Sequence, residues 1–358
     1  MTTNKTYYVQ IQPCGDYFLG GNRTFKTGKN DKYGKEITNY FAISNEIPQQ
    51  TTILGMLRFA FLAKKDELSE DDTTKAKTIG STGFDGSNTK PYGIINAISP
   101  LLIAKTKAEN GFDFFLPAPF TKQVKEQKQD QENEQKNDEY TDIVYNQVGY
   151  KSFTNIAHEN SVVLNNFDYK NFSTDLKWAD SNGKIEKNIF TPLTKVGVKK
   201  ISTEEGFYKQ KFYRLNAGFS FGVWLTLTDD ATIDLSESII VPFGADQGMA
   251  KLTFHKEITS VFEQQQQTTT TILILSDALV DKDFFNKLDF GITDFVDFRF
   301  ISSSGSGYYS PTKSLNFDLL KRGSVLYVKD ETNAKHIADA LRSQTEYRNI
   351  GYNYFKFI

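Results

Sequence analysis

Three short loops place glycine beside cations or hydroxyls. LGGNR (19–23) sets Gly20 and Gly21 next to Arg23, and FGADQGMAK (243–251) sets Gly248 next to Lys251. SSSGSGYYS (302–310) combines two glycines with a run of serines and two tyrosines. Glycine lets backbone approach a ligand closely, and neighbouring N–H groups can form an anion-binding concavity. The chemistry on offer is therefore capture of an oxyanion. Each loop is equally compatible with an ordinary turn between strands. A second feature is charge: residues 184–214 hold eight Lys/Arg against three acids, a local net of +5. Lys195, Lys199, Lys200, Lys209 and Lys211 lie in that run, interleaved with Tyr208, Phe212 and Tyr213. Ammonium groups for phosphates and rings for unstacked bases are what single-stranded RNA binding requires. A solvated lysine-rich hairpin has the same composition.

Catalytic constellations are missing. His158, His255 and His336 lie far apart, with no HxH or HxxxH spacing. His255 falls in an alternating strand and His336 in an expected helix, so both read as structural or surface residues. His158, in the polar stretch HENS, is the histidine that a loop could carry into a site. TGK (27–29) lacks the phosphate-loop spacing, because position 23 is Arg and position 30 is Asn. No GxSxG occurs, and no acidic pair has metal-like spacing. The expectation is no metal and no cofactor.

The composition bounds the rest. The 358 residues are 39% hydrophobic and 24% charged, enough for two domains with real cores. The net charge of −2 means that any anion site must be local to one face. The single Cys14 excludes an internal disulfide framework and a cysteine-rich metal site. A buried thiol is expected there. The stretch MTTNKTYYVQIQP has no apolar h-region, and nowhere are there 18 continuous apolar residues. A cytoplasmic protein with no membrane partner is expected.

The positioning elements follow from periodicity. A strand is predicted at 7–12, with Val9 and Ile11 on one face and Tyr8, Gln10 and Gln12 on the other. A long loop covers 15–36. PQQTTILGMLR (48–58) opens a helix with Thr51 or Thr52 as N-cap and Ile53, Leu57, Ala60 and Phe61 at helical spacing. The N–H groups and dipole of that helix N-terminus suit a phosphate, which makes Thr51, Thr52 and Arg58 candidates. Gly55 costs the helix about 1 kcal/mol against alanine. Tight packing on a sheet is the expected reason, with close approach of RNA backbone as the alternative. Strands follow at 92–99, in LLIAK, and at 112–117, and then an almost wholly polar segment at 121–140, expected as a flexible surface insertion or solvated helix with no chemistry assigned. The second half reads as strands at 211–227, a helical segment at 231–240, strands at 249–257 and 271–277, a helix near 281–289 and a strand at 296–302. That is the split βαβ pattern of ferredoxin-like folds. A strand at 323–329, a helix at 332–342 and a strand at 353–358 end the chain.

Taken in order, LGGNRTF, PQQTTILGMLR, YGIINAISPLL, KVGVKK with EEGFYKQKFYRL, FGADQGMAKL and RGSVLY are similar to the RAMP superfamily of CRISPR proteins. Within it the chain most resembles the subunit-three family of the type III-B Cmr effector complex. The resemblance covers most of the chain apart from 121–140. It implies an α+β fold of two ferredoxin-like (RRM-like, βαββαβ) domains with loop insertions, set at 1–205 and 206–358. It implies a non-catalytic subunit that caps the crRNA 5′ handle and bridges the backbone RAMP subunits to the large polymerase-like subunit, with no small-molecule substrate. The family's glycine-rich C-terminal loop is matched only loosely, by SSSGSGYYS or by GYNYFKFI. The residues expected to meet RNA are Gly20, Gly21, Arg23, Thr51, Thr52, Arg58, Lys195, Lys199, Lys200, Lys209, Lys211, Gly248 and Lys251. The alternative is a RAMP-type metal-independent endoribonuclease with His158 as general base. An aromatic-rich carbohydrate-binding β-protein fits less well, because a signal peptide is missing and the second half carries helices.

Overall fold

A computed structural model describes residues 5–20, 23–27, 38–81, 83–87, 89–108, 111–124, 140–146, 163–168, 170, 172–201, 204–256, 258–262, 269–299, 301–302, 312–313 and 317–358. The fold is mixed α+β, with mostly antiparallel sheets and few helices.

The alternation read at the start of the chain forms the strand Lys5–Pro13, the middle of a nine-stranded antiparallel sheet. Phe219–Leu227 pairs on one side of it and Met249–His255 on the other, with Tyr8 opposite Trp224 and His255. Beyond Phe219–Leu227 come Ile95–Ile98 and Leu102–Thr106, and beyond Met249–His255 comes Ile239–Pro242. Val9 and Ile11 enter the main core beside Ile53, Leu57 and Phe61 of α1 (Gln50–Lys64). Tyr8 enters a second cluster on the opposite face with Leu102, Ala104 and Trp224. Both sheet faces are therefore covered, as a strand with apolar residues at odd and even positions demands.

Helix α1 follows Pro48 as expected, but its cap differs. Gln49 is the N-cap and makes no side-chain capping hydrogen bond, and Thr51 and Thr52 already lie inside the first turn. The buried Gln50 carboxamide donates instead to the Ser99 carbonyl at 2.9 Å. Gly55 faces outward, and a Cβ there would meet nothing within 4 Å, so tight packing does not explain this glycine. Gly55→Ala is expected to raise stability by about 0.5–1 kcal/mol, read from the shift in denaturant midpoint. An unchanged or lower midpoint would count against this reading. Helix α2 (Asp72–Ile79) is capped by Asp71, whose carboxylate accepts from the backbone N–H groups of Thr73 and Thr74.

The second sheet has the order Leu288–Ile292, Val325–Val328, Thr271–Ile274, Phe355–Phe357, all antiparallel. In chain order it reads strand, short helix α3 (Lys282–Phe285), strand, strand, helix α4 (Glu331–Ser343), strand. Ala334, Ile337, Ala338 and Leu341 recur on one face of α4 and pack on Ile272, Ile274 and Leu326. The strands of this sheet begin at 271. The helical segment expected at 231–240 is absent, and Ile239–Pro242 is a strand there. Position 205/206 lies inside the strand Glu204–Leu215. The last turn helix α5 (Thr345–Arg348) leads the chain back, so that Tyr347, Ile350 and Tyr352 bury in the main core. Gly351, at φ +92°, sits against Gln50 and Ser99 where a Cβ has no room. Among the described residues no helix is long and apolar enough to cross a membrane.

Candidate nucleic-acid interface

The basic run forms a long hairpin, Phe190–Ile201 against Glu204–Leu215, paired over twelve residues on each strand. The hairpin is one side of a four-stranded sheet: Glu204–Leu215 pairs in parallel with Thr38–Ile43, which pairs with Arg23–Thr27. The stretch expected as a 15–36 loop therefore contains a strand and contributes to the sheet. Three isolated bridges hold the segment before that strand: Tyr17 to Tyr213, Phe18 to Ala245, and Leu19 to Asn45. Residues 17–19 thereby join the hairpin, the entry to α1 and the FGADQG turn at one place. Leu19 N–H donates to Ser44 Oγ at 2.8 Å, and Asn45 Nδ2 donates to the Gly20 carbonyl at 2.7 Å. Two of the glycine loops singled out in the sequence thus meet beside the basic hairpin.

The turn itself explains its glycines. Asp246 and Gln247 have φ +54° and +58°, the left-handed pair that a type I′ turn requires. Gly248 N–H closes it on the Ala245 carbonyl at 3.1 Å. A Cβ at Gly248 would stand 2.3 Å from the Phe243 carbonyl oxygen, and one at Gly244 would stand 2.4 Å from that of Phe18. Gly248→Ala is expected to cost roughly 1–3 kcal/mol, checked by thermal denaturation. A loss below a few tenths of that would show that the turn can relax.

Asp16 organises the charge at this place. Its Oδ1 lies 2.6 Å from Arg214 Nη2 and accepts from Nε at 2.7 Å, and Oδ2 lies 3.8 Å from Lys195 Nζ. Lys195 is 53% exposed, and its Nζ stands 3.9 Å over the Phe212 ring. Lys209 is exposed and Lys211 half-buried, with its Nζ 5.1 Å over the Tyr213 ring. Register puts Lys195 opposite Gln210, Lys209 opposite Val196 and Lys211 opposite Thr194. By the pleat, Lys195 occupies one face of the sheet and Lys209 and Lys211 the other. The interleaved rings divide differently from expectation: Phe212 and Tyr213 are core residues at 3% and 6% exposure. Tyr208 keeps 38% exposure and lies across Gly197, where a Cβ would collide with its ring. Glu46, behind Lys211, has its carboxyl pushed up by burial.

A family model described as CRISPR-associated protein (Cas_Cmr3) matches residues 9–283, a span that includes the hairpin, the 17–20 segment and the FGADQG turn. The chain belongs to the Cas_Cmr3 family. No curated protein matches it. Among solved structures it is similar to a chain of type III-B Cmr-beta bound to cognate target RNA and AMPPnP, determined by cryo-EM. That likeness has 14% identity, covers 96% of this chain and 94% of the other, and has a TM-score of 0.47. A second cryo-EM structure, of type III-B Cmr-beta bound to cognate target RNA, gives 14% identity, 98% and 96% coverage and a TM-score of 0.48.

For this Cas_Cmr3 family member, the other candidate residues sit as follows. Thr51 and Thr52 are half-buried on the first turn of α1, whose end is packed by the 347–352 segment. Arg58 reaches neither the sheet nor, among the described residues, an acid: its Nη2 donates to the Gly80 carbonyl at 3.2 Å, and burial lowers its pKa. It braces α1 against the end of α2. Lys251 is exposed on the nine-stranded sheet, opposite Gln12 and Ile240. Arg23 pairs with Ala42, Lys199 with Gly206 and Lys200 with Glu205 in the backbone, but their side chains lie outside the described residues, as do Gly21, His158 and positions 303–310. His255 packs among Tyr8 and Phe112, and burial lowers its pKa. Cys14 is exposed rather than buried, at the mouth of the first strand. Among the described residues no cluster of His, Cys, Asp and Glu could hold a metal ion. Sequence reading missed Asp16 and Arg214, which lie 198 positions apart; no local pattern links them.

Proposed function

We propose that this chain is a non-catalytic RNA-binding subunit of a type III-B Cmr effector in the cytoplasm, capping the crRNA 5′ handle and bridging backbone RAMP subunits to the large polymerase-like subunit. The family match supports the assignment to a CRISPR effector. The observation that carries the RNA-binding part is the four-stranded sheet: exposed Lys195 and Lys209 stand on a projecting hairpin whose base joins two glycine-bearing segments. Exposed cations on extended backbone suit phosphates, and the exposed Tyr208 gives a ring for one base.

The strand orders support a reading as two ferredoxin-like lobes. In the first, Met249–His255, Lys5–Pro13, Phe219–Leu227 and the pair Ile95–Ile98 with Leu102–Thr106 take the order 4-1-3-2. In the second, Phe355–Phe357, Thr271–Ile274, Val325–Val328 and Leu288–Ile292 take the same order. The proposed boundary then falls between 255 and 271. The four-stranded sheet and the polar insertion are embellishments of the first lobe.

The test is a tagged pull-down from the native host with sequencing of bound RNA and mass spectrometry of bound proteins. Short RNAs sharing one repeat-derived 5′ end, with a large polymerase-like partner, are expected. A clean protein with neither would overturn the proposal. Cleavage of repeat RNA by the purified chain, abolished in His158→Ala, would establish the endoribonuclease alternative instead.

A further inference from the structure

A second cationic site lies beside the second sheet, on residues the RNA reading does not use. Arg342 of α4, Arg348 of α5 and Lys356 of the last strand converge on one small pocket of about 80 Å³. Among the described residues no carboxylate lines it. Arg348 stacks on the Tyr354 ring at 4.3 Å, and Arg342 stacks on Phe355 at 5.2 Å. Stacking fixes each guanidinium plane; Arg348 Nη1 donates to the Asn353 carbonyl at 3.5 Å, and its other N–H groups can meet an oxyanion. Arg342 reaches Asp339 at 3.3 Å, yet its Nε is buried with no hydrogen-bond partner among the described residues. Neither Arg348 nor Lys356 has a carboxylate within ion-pair distance among the described residues. Burial pulls the pKa of both downward, and for Arg348 the nearby charge of Arg342 adds to that pull. Arg348 and Lys356, half-buried beside Arg342 and without a carboxylate of their own among the described residues, are costly to fold, because each charge is taken from water and repels the others. A bound anion removes that cost.

Size and surroundings narrow the anion. The pocket of about 80 Å³ is far smaller than the adjoining cleft and suits a compact oxyanion. The two cations without a carboxylate, Arg348 and Lys356, match a phosphate of charge about −1.5 to −2 better than a single carboxylate. The pocket shares Leu116, Val261 and Lys356 with a larger cleft of about 710 Å³. That cleft is walled by Phe112, Phe114 and Pro117. Its carboxylates are engaged: Asp113 with Lys107 at 2.6 Å, Glu186 with Lys105 at 3.8 Å, and Asp180 with the backbone N–H groups of Asn182 and Lys184. We propose that the Arg342–Arg348–Lys356 pocket binds the phosphate group of a nucleotide whose sugar and base occupy the adjoining mixed cleft, with the base against Phe112 and Phe114.

The test titrates the purified full-length chain with AMP and follows the ³¹P resonance. A saturable shift is expected, and excess adenosine is expected to weaken it by competing for the cleft. Arg348→Met and Lys356→Gln are each expected to weaken AMP binding by about tenfold or more. If Arg348→Met fails to fold, Lys356→Gln decides, since it removes a desolvated charge from an otherwise intact strand. A wild-type chain that gives no saturable shift overturns the proposal, as does unchanged affinity in the folded variants. Displacement of AMP by equimolar hexaglutamate would reassign the pocket to an acidic protein segment. Loss of this site would leave the guide-RNA reading standing, because that reading rests on the basic hairpin and none of its candidate residues lines the pocket.

Discussion

Asp277→Ala is expected to lower the stability of the chain by about 3–5 kcal/mol. Asp277 and Arg322 form the most buried ion pair among the described residues, with side chains 14% and 2% exposed. The carboxylate accepts from Arg322 N–H at 3.0 Å, from Nε at 3.1 Å and from Nη2 at 2.8 Å. Truncation would strand a guanidinium in the interior with three donors orphaned. The penalty comes from that stranded charge, so the double variant Asp277→Leu, Arg322→Met is expected to recover most of the loss. Urea denaturation of the single and double variants checks this, and a single-variant loss below about 1 kcal/mol would show that water reaches the pair. The pair also gives a pH dependence. Burial alone pushes the Asp277 carboxyl up, but the Arg322 charge and its hydrogen bonds outweigh burial and hold it below the usual range. Its contribution is therefore complete above the unfolded carboxyl pKa of about 3.9. It is lost as pH falls through the depressed folded value. Stability measured from pH 6 downward is expected to fall more steeply in the wild-type chain than in the double variant.

The second large effect concerns RNA. The triple variant Lys195→Ala, Lys209→Ala, Lys211→Ala is expected to weaken single-stranded RNA binding uniformly across sequences. Each lost phosphate contact lowers the salt slope by about 0.7 for a single strand, so the triple variant is expected to lose about 0.7 to 1.4, according to the face that RNA follows. Fold stability is expected to change by only about 1 kcal/mol, mostly from the lost contact of Lys195 with the Phe212 face. Because Lys195 lies on one face of the sheet and Lys209 with Lys211 on the other, the single variants separate the faces. An unchanged slope in the triple variant would remove this sheet from the RNA path. A change confined to Lys195→Ala, or to the other two, would name the face that RNA follows.

Some of this was legible because its cause is local. The alternation of Val9 and Ile11 against Tyr8 reports a strand covered on both faces, and the structure buries all three at 0–1% exposure. The spacing of Ile53, Leu57, Ala60 and Phe61 reports one helical stripe, and all four are buried. The same holds for α4. The glycines of FGADQGMAK could be read as a place where backbone comes close to something. The close neighbour turned out to be the chain's own carbonyls at Phe243 and Phe18.

Other features are decided by distant partners. Ile239 and Ile240 have helix-like neighbours in sequence, yet Met249–His255 offers a ladder of hydrogen bonds and draws them into a strand. Phe212, Tyr213 and Tyr208 are equivalent in composition, but the bridge from Tyr17 and the contact with Phe18 bury the first two and leave the third outside. Gly55 looks like a packing glycine and faces solvent, because helical period sets which residues share a face but not what lies opposite. By itself the sequence determined the local periods, the basic run and the ordered family motifs, since these depend on neighbours along the chain. Only the tertiary structure decided which cations share a face, which rings remain exposed and which arginines lack a counter-ion. Those are properties of strand register and burial, set by pairings between residues as much as two hundred positions apart.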